Sequence, residues 1–198
     1  YEQGKFGQAI MVEEGTTNLL KNGSFETGTT DGWFSSENVA VQSAEKRSGS
    51  YALRITDTST SAAEYAIQIV PATAGTVYTL SAYAKMVSGL QSLYLDFLDS
   101  TGTRIAVYSI VFSETVWTRQ SITQTAPADT ASIKVWLYSF TTATSDGYFD
   151  DIQLETKPYP TSVIYANDTT TQATRSSEQL TIPNANVFNK SNWNLEFL

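Results

Sequence analysis

Thr130-Ala-Ser-Ile-Lys-Val-Trp-Leu-Tyr-Ser-Phe140 decides the fold, because its two rows of side chains want different surroundings. Read as a strand of period two, it puts Ile133, Val135 and Leu137 on one side and Lys134, Trp136, Tyr138 and Phe140 on the other. A strand that is aliphatic on one face normally turns a polar row to water. Here the second row is mainly aromatic, so it is either covered by another layer or is a working surface for a ligand with flat apolar faces.

Outward from this strand the same rhythm continues. On the N-terminal side, Leu93, Leu95 and Phe97 alternate with Tyr94 and Asp96, and the turn Asp99-Ser100-Thr101-Gly102 leads into a strand over 104–112. Before it, Tyr78, Leu80, Ala82 and Ala84 alternate with Thr79, Ser81, Tyr83 and Lys85. The run 65–70 stops at Pro71, 51–55 follows the turn Arg47-Ser48-Gly49-Ser50, and 39–41 is a brief strand. Beyond the opening stretch, 117–124 and 147–154 complete the series. Short strands separated by turn signals, with no convincing helix, read as an all-β protein. The expected fold is a two-sheet antiparallel β-sandwich, a jelly roll of the galactose-binding-domain-like kind.

Composition narrows the function. The chain has 198 residues, 41% of them hydrophobic and 12% aromatic, and a formal charge of −8. That charge argues against nucleic acid, whose phosphates draw on clustered Lys and Arg, and an acidic surface does not suit an anionic membrane. No apolar run approaches the roughly 20 residues of a membrane span, and no signal-peptide pattern is present, so the chain reads as a mature or excised segment. The absence of Cys removes disulfides and thiolate metal sites. The absence of His removes Ser-His and Cys-His nucleophiles and imidazole metal sites, leaving carboxylates for any catalysis. Glu64 and Asp96 are a conceivable glycosidase pair, but with 20 acidic residues such pairs arise by chance, and no catalytic residue is assigned.

An ordered set of pieces carries a resemblance: Asn18-Leu19-Leu20 through Phe25-Glu26, Gly32-Trp33, Ser48-Gly49-Ser50-Tyr51-Ala52-Leu53, Tyr78-Thr79-Leu80-Ser81-Ala82, Trp117-Thr118 and Phe149-Asp150-Asp151-Ile152. It resembles the β-jelly-roll carbohydrate-binding modules related to families four, nine, sixteen and twenty-two. The resemblance implies a calcium-stabilised sandwich with a glycan site on one sheet face, and core packing for Trp33 and Trp117. The flanks, including Gly4-Lys5-Phe6-Gly7, 12–19 and 153–176, look like linkers of phage tail and tail-fibre proteins. Gln179-Leu180-Thr181-Ile182-Pro183 and Trp193-Asn194-Leu195-Glu196-Phe197 look like strands of an incomplete concanavalin-like lectin domain. The expected division is a flanking strand of a neighbouring domain over 1–16, the module over 17–156, and a linker with a partial concanavalin-like segment over 157–198.

Two sites follow. Asp150 shares strand parity with Ile152 and Leu154, so its carboxylate needs a cation, an Arg, or a wet strand end. The resemblance implies structural Ca²⁺, with Glu26 and Asp150 as side-chain ligands and carbonyls near Arg47 and Ser48 completing an oxygen cage. The second site is a glycan platform of Trp136 and Tyr138 helped by Tyr83 and Tyr94, with Gln68, Lys85 and Asp96 beside the rings. The expected function is non-catalytic binding of a polysaccharide or cell-surface glycan, tethering an extracellular or virion protein. The alternative is a structural subunit that uses the aromatic face and flanking strands for contacts with its own copies or a larger surface assembly.

Overall fold

The computed structural model describes residues 2–4, 7–9, 13–140 and 142–178. The concanavalin-like stretches expected over 179–183 and 193–197, Trp193 included, lie outside the described residues. Contacts divide the chain into two units, Tyr1–Gly15 with Ser176–Leu198, and Thr16–Arg175. In the first, β1 (Glu2–Gly4) pairs antiparallel with β2 (Gly7–Ala9), and the Glu178 amide donates to the Glu13 carbonyl at 3.0 Å.

The second unit holds β3 (Thr16–Asn18), β4 (Phe34–Ser35), β5 (Val39–Gln42), β6 (Ala52–Asp57), β7 (Tyr65–Pro71), β8 (Val77–Ser88) and β9 (Gln91–Leu98). It continues with β10 (Arg104–Phe112), β11 (Thr118–Thr125), β12 (Ser132–Ser139), β13 (Ser145–Glu155) and β14 (Ala173–Arg175). Two antiparallel five-stranded sheets result, ordered β10-β9-β12-β7-β4 and β11-β8-β13-β6-β5. No helix occurs among the described residues. The all-β sandwich expected from the alternation is the fold observed.

Each sheet buries the aliphatic row of its strands. Ile133, Val135 and Leu137 of β12 and Leu93, Leu95 and Phe97 of β9 are fully buried. From the other sheet come Leu80, Ala82, Ala84, Leu53, Ile55, Phe149 and Leu154, also fully buried. Burying each large aliphatic side chain stabilises by roughly 1.5–3 kcal/mol. Edge-on rings lock the layer: Phe112 meets Phe149 at 5.7 Å, and Phe97 meets Tyr108 at 6.2 Å. Trp33 is buried, as expected, 5.9 Å from Phe25 and donating from Nε1 to the Asn22 carbonyl at 3.2 Å.

β13 departs from simple alternation. It pairs with β8 as Phe149↔Ala84 and Asp150↔Tyr83, then resumes at Gln153↔Ser81 and Leu154↔Leu80, one residue longer than its partner. The extra residue is a bulge with Asp151 at φ 52°. Asp150 therefore stands on the Tyr83 row, not on the core row of Leu154, and the parity argument that joined them is corrected by that one residue. The bulge is gripped from the 18–25 loop: Ile152 donates to the Gly23 carbonyl at 2.8 Å, and Asn18 Nδ2 donates to the Ile152 carbonyl at 2.9 Å. A Cβ on Gly23 would lie 2.3 Å from that carbonyl oxygen, so the backbone approach requires glycine.

The expected boundary at 156 moves. Residues 157–175, expected as linker, cover one end of the second sheet, with Thr161, Ile164 and Ala166 buried. Thr161 donates to the buried Glu155 carboxylate from its amide at 3.2 Å and its hydroxyl at 2.6 Å, and the Ile164 amide donates to Gln153 Oε1 at 2.8 Å. β14 then pairs with β3, closing the unit at Arg175. Pro158 and Pro160 interrupt strand pairing but not packing. Ending the chain at Lys157 exposes Ile164's site and strips the Glu155 carboxylate of its two Thr161 donors, leaving it Gln153, so the shortened chain should melt roughly 10 °C below a chain ending at Arg175. Equal melting temperatures by calorimetry would make 157–175 a dispensable linker after all.

Candidate functional site

The face of the first sheet that points away from the core gathers aromatic rings from neighbouring strands. Strand register fixes this: Trp136 lies opposite Tyr94 of β9 and Ile67 of β7, Tyr138 opposite Ser92 and Tyr65, and Lys134 opposite Asp96 and Ile69. Since Ile133, Val135 and Leu137 must face inward, the other row of β12 must face out. Trp136, Tyr138, Tyr94, Tyr65 and Phe140 are all half-buried, and Phe34 on the edge strand is 66% exposed. The expected aromatic row is thus an accessible surface, partly buried by its own ring contacts.

Those contacts hold the rings at fixed angles. Trp136 and Tyr138 are 6.0 Å apart at 89°, Tyr94 and Tyr138 5.6 Å at 82°, and Tyr65 and Trp136 5.6 Å at 69°. Such edge-to-face pairs contribute about 0.5–1.5 kcal/mol beyond their buried area. Between them opens a cleft of about 240 Å³ lined by Tyr94, Arg104, Trp136 and Tyr138. Asp96 is the polar pin beside it. Fully buried, it accepts on one oxygen from Arg104 Nη2 at 2.6 Å, Arg104 Nε at 3.0 Å and Trp136 Nε1 at 2.9 Å. Lys134 places its ammonium 4.7 Å over the Trp136 ring. Burial, helped by the nearby Tyr94 and Asp57, raises the Tyr138 phenol above its usual pKa, so this hydroxyl stays a donor at neutral pH.

Of the residues expected at the platform, Trp136, Tyr138, Tyr94 and Asp96 come together and three do not. Gln68 shares parity with Ala66 and Val70 on the inner face, where it exchanges two hydrogen bonds with the Lys21 backbone at 2.8 and 3.0 Å. Tyr83 and Lys85 lie on β8, in the other sheet, and face outward there. Tyr83 sits under Arg47, 4.2 Å from its guanidinium carbon, and Lys85 is paired with Glu45 at 2.8 Å. Trp117, expected in the core, is also on that outer side, half-buried near Tyr148 and donating to Glu45 Oε1 at 3.1 Å. Tyr65, Arg104 and Lys134 were missed. Tyr65 and Arg104 needed the strand pairing, whereas Lys134 already shared the parity of Trp136.

Glu64 and Asp96, the conceivable catalytic pair, hold different partners. Burial pushes the Glu64 carboxyl up, but donation from Ser36 and Asn38 outweighs it and leaves its pKa below the ordinary value.

The expected cation site centres on the turn 47–51. Asp150, fully buried, accepts from the amides of Arg47 at 3.0 Å and Ser48 at 3.2 Å, and Glu26 accepts from those of Ser50 at 2.8 Å and Tyr51 at 3.1 Å. Gly49, at φ +59°, lets Glu26 approach: a Cβ there would lie 2.3 Å from the carboxyl carbon. The two carboxylates converging on one turn are the hard oxygens that Ca²⁺ takes. Arg47 and Ser48 meet Asp150 with N–H groups, however, not with carbonyls, and no cluster of three or more Asp, Glu, His or Cys side chains forms a cation site among the described residues. Asp151 beside it is bound by Arg47 at 3.2 Å and by the Ser48 hydroxyl.

With this geometry in place, comparison with known proteins gives a family. The profile of the carbohydrate binding domain of types four and nine matches residues 17–146. The chain belongs to that family. A family 16 carbohydrate binding module superposes with a TM-score of 0.57 at 24% identity, over 69% of this chain and 99% of that one. A family 61 module in complex with β-1,4-galactotriose gives 0.54 at 26% identity, over 69% and 97%. The enzymatically active domain of bacteriophage CBA120 tailspike protein 4 gives 0.60 at 14% identity, over 69% and 21%, a likeness of fold. In sequence, the tRNA nuclease WapA of Bacillus subtilis (strain 168) is 30% identical over 175 residues. The keratan-sulfate endo-1,4-beta-galactosidase of Sphingobacterium multivorum is 28% identical over 138 residues. The match covers 76% of this chain and 8% of the first relative, and 69% of this chain and 31% of the second.

Asp150 makes the module's stability depend on pH. Burial first, and the neighbouring Asp151 charge second, raise its pKa from 3.8 to about 7, and burial moves Asp151 in the same direction. A raised folded-state pKa means the folded form holds the proton more tightly. The contribution is full below the unfolded value and is lost as pH rises through the folded one. Carboxyls held below their ordinary values, such as Glu45 and Glu64, act oppositely, losing their contribution only on acidification below about pH 4.5. In chelator, the melting temperature should therefore rise by several degrees between about pH 8 and about pH 5. Asp150→Asn should flatten the rise, and a melting temperature that falls steadily over that range would show Asp150 ionised and compensated.

Proposed function

We propose that the module binds a polysaccharide or cell-surface glycan on the outer face of the first sheet, through Trp136, Tyr138 and Tyr94. The observation that carries this reading is the open cleft among those three rings and Arg104. A pyranose presents polarised C–H groups on one flat side and hydroxyls around its rim. Ring faces meet the first, while the Tyr hydroxyls and the Arg104 fork meet the second. Neighbouring strands lie about 4.8 Å apart and same-face residues along a strand roughly 6.5–7 Å, so the Tyr94, Trp136 and Tyr138 rings span more than one sugar. β-1,4-galactotriose on the related family 61 module supports a β-linked ligand. We assign the module to a tether that holds an extracellular or virion protein, a phage tail among them, against its glycan. The tail-like flanks of the sequence support that assignment.

Trp136→Ala tests it. The variant should lose retention on glycan arrays. Because the ring is half-buried, it should cost about 1–2 kcal/mol of stability, less than the roughly 3–5 kcal/mol of a fully buried Trp. Normal retention with a large drop in melting temperature would leave the face a packing surface. That outcome would favour the alternative of a subunit contact, which the exposed Phe34, Ile69, Val107 and Val111 also suit, and mass measurement in solution would then show an oligomer.

We also propose that Glu26 and Asp150 hold a structural Ca²⁺ at the 47–51 turn. A ligand bound only to the folded state at 100 times its Kd stabilises by about 2.7 kcal/mol, or roughly 5–10 °C here. Calcium should raise the melting temperature by that amount near neutral pH, and Asp150→Ala should abolish the gain. Identical unfolding with calcium and with chelator would remove the cation from the account.

A further inference from the structure

We infer that the cleft beside Trp136 takes a glycan bearing an anionic group, a carboxylate or a sulfate, met by the Lys134 ammonium and the Arg104 guanidinium. This rests on the reading of the aromatic face as a glycan platform. The chain carries 12 Lys and Arg against 20 Asp and Glu, yet the charged side chains that flank the cleft are Lys134, Arg104 and Asp96. Asp96 is fully buried, and one of its oxygens already takes both Arg104 donors and the Trp136 indole. Asp57, the other carboxylate near Tyr138, is buried against the Ser139 hydroxyl. What the cleft presents to a ligand is therefore cationic.

Neither cation is used up by the fold. Lys134 stands directly opposite Asp96 in register, but makes no ion pair among the described residues. Arg104 has taken that carboxylate, and the ammonium rests on the Trp136 ring instead. An unpaired ammonium in a protein of charge −8 is where an anionic ligand meets attraction in place of the general repulsion. Arg104 is 51% exposed at its side chain. It spends Nε and Nη2 on Asp96, leaving Nη1 without a hydrogen bond among the described residues. A guanidinium so anchored offers its remaining donors in the planar geometry that carboxylate and sulfate oxygens accept. Lys134, on a flexible stem, holds its ammonium over the Trp136 indole that lines the cleft, within reach of a charge bound there.

The test uses the whole chain and two polymer pairs that differ only in charge: keratan sulfate with desulfated keratan, and glucuronoxylan with its carboxyl-reduced form. Titration calorimetry should show at least about tenfold tighter binding of the charged member in one pair, and the pair that shows it separates sulfate from carboxylate. The advantage should shrink as NaCl rises from about 50 to about 500 mM. Lys134→Met, whose fold is checked by its melting curve, should lower the charged-to-neutral ratio at least about threefold, and adding Arg104→Gln should bring it near one. Equal affinity within both pairs overturns the inference and leaves the platform standing. A charge preference that survives both substitutions overturns the assignment to these residues. Binding of none of the four polymers sinks the platform reading together with this one.

Discussion

The structure depends on the burial of one row of β12. Its three aliphatic residues are each worth roughly 1.5–3 kcal/mol inside the sandwich. A one-residue slip would exchange them for Lys134, Trp136 and Tyr138, burying an ammonium at a cost of several kcal/mol. Register is therefore fixed by the core, and the position of the aromatic row follows from it. β12 is also the central strand of its sheet, flanked by β9 and β7. Its outward row thus has Tyr94 and Asp96 beside it on one strand and Tyr65, Ile67 and Ile69 on the other. A platform built on a central strand inherits the rigidity of a ladder bonded on both edges.

The second sheet shows what the same alternation does without such a constraint. Its outer side also carries rings and cations, but the loop after β5 folds over them. Glu45 takes Lys85 and Trp117, and Arg47 takes Tyr83 and Asp151. Glu45 and Asp151 take their cations within the fold there, although Arg119 of β11 makes no ion pair among the described residues, just as Lys134 makes none on the first sheet. Equivalent parity on two sheets thus yields a surface roofed by a loop on one and an open cleft on the other. The difference lies in a loop, not in a strand.

Legibility in the sequence followed the same line. The alternation of 91–98, 104–112 and 132–139 named the strands, and for β9 and β12 the inward rows, because one row was plainly aliphatic. It failed where both rows were plausible. In Tyr65-Ala66-Ile67-Gln68-Ile69-Val70 parity put Gln68 beside the rings, yet it faces in because the Lys21 backbone satisfies its amide. Tyr83 and Lys85 were placed by parity alone, which says which side of a strand a residue occupies but not which of two sheets holds the strand. Asp150 was correctly singled out as a buried carboxylate, but by a parity that the bulge at Asp151 breaks. Asp96 illustrates the remaining limit. Its value depends on Arg104, eight residues away across a hairpin with an irregular register, and that pairing has no local signature.

The two buried carboxylates, Asp96 and Asp150, show how this module handles buried charge. Asp96 is met by a guanidinium and an indole N–H, donors fixed by neighbouring strands, and its charge orients Trp136 from beneath the platform. Asp150 is met by the amides of Arg47, Ser48 and Asp151, and burial and Asp151 still push its proton affinity up to about 7. Amide dipoles from a turn compensate less than a full positive charge does. The turn that presents them is also held by Glu26 through Gly49, so the same few residues join the 18–26 loop, the 47–51 turn and the β13 bulge. A proton or a cation at Asp150 therefore acts on three segments at once. The aromatic face, on the opposite sheet and pinned by its own ion pair, has no share in that linkage.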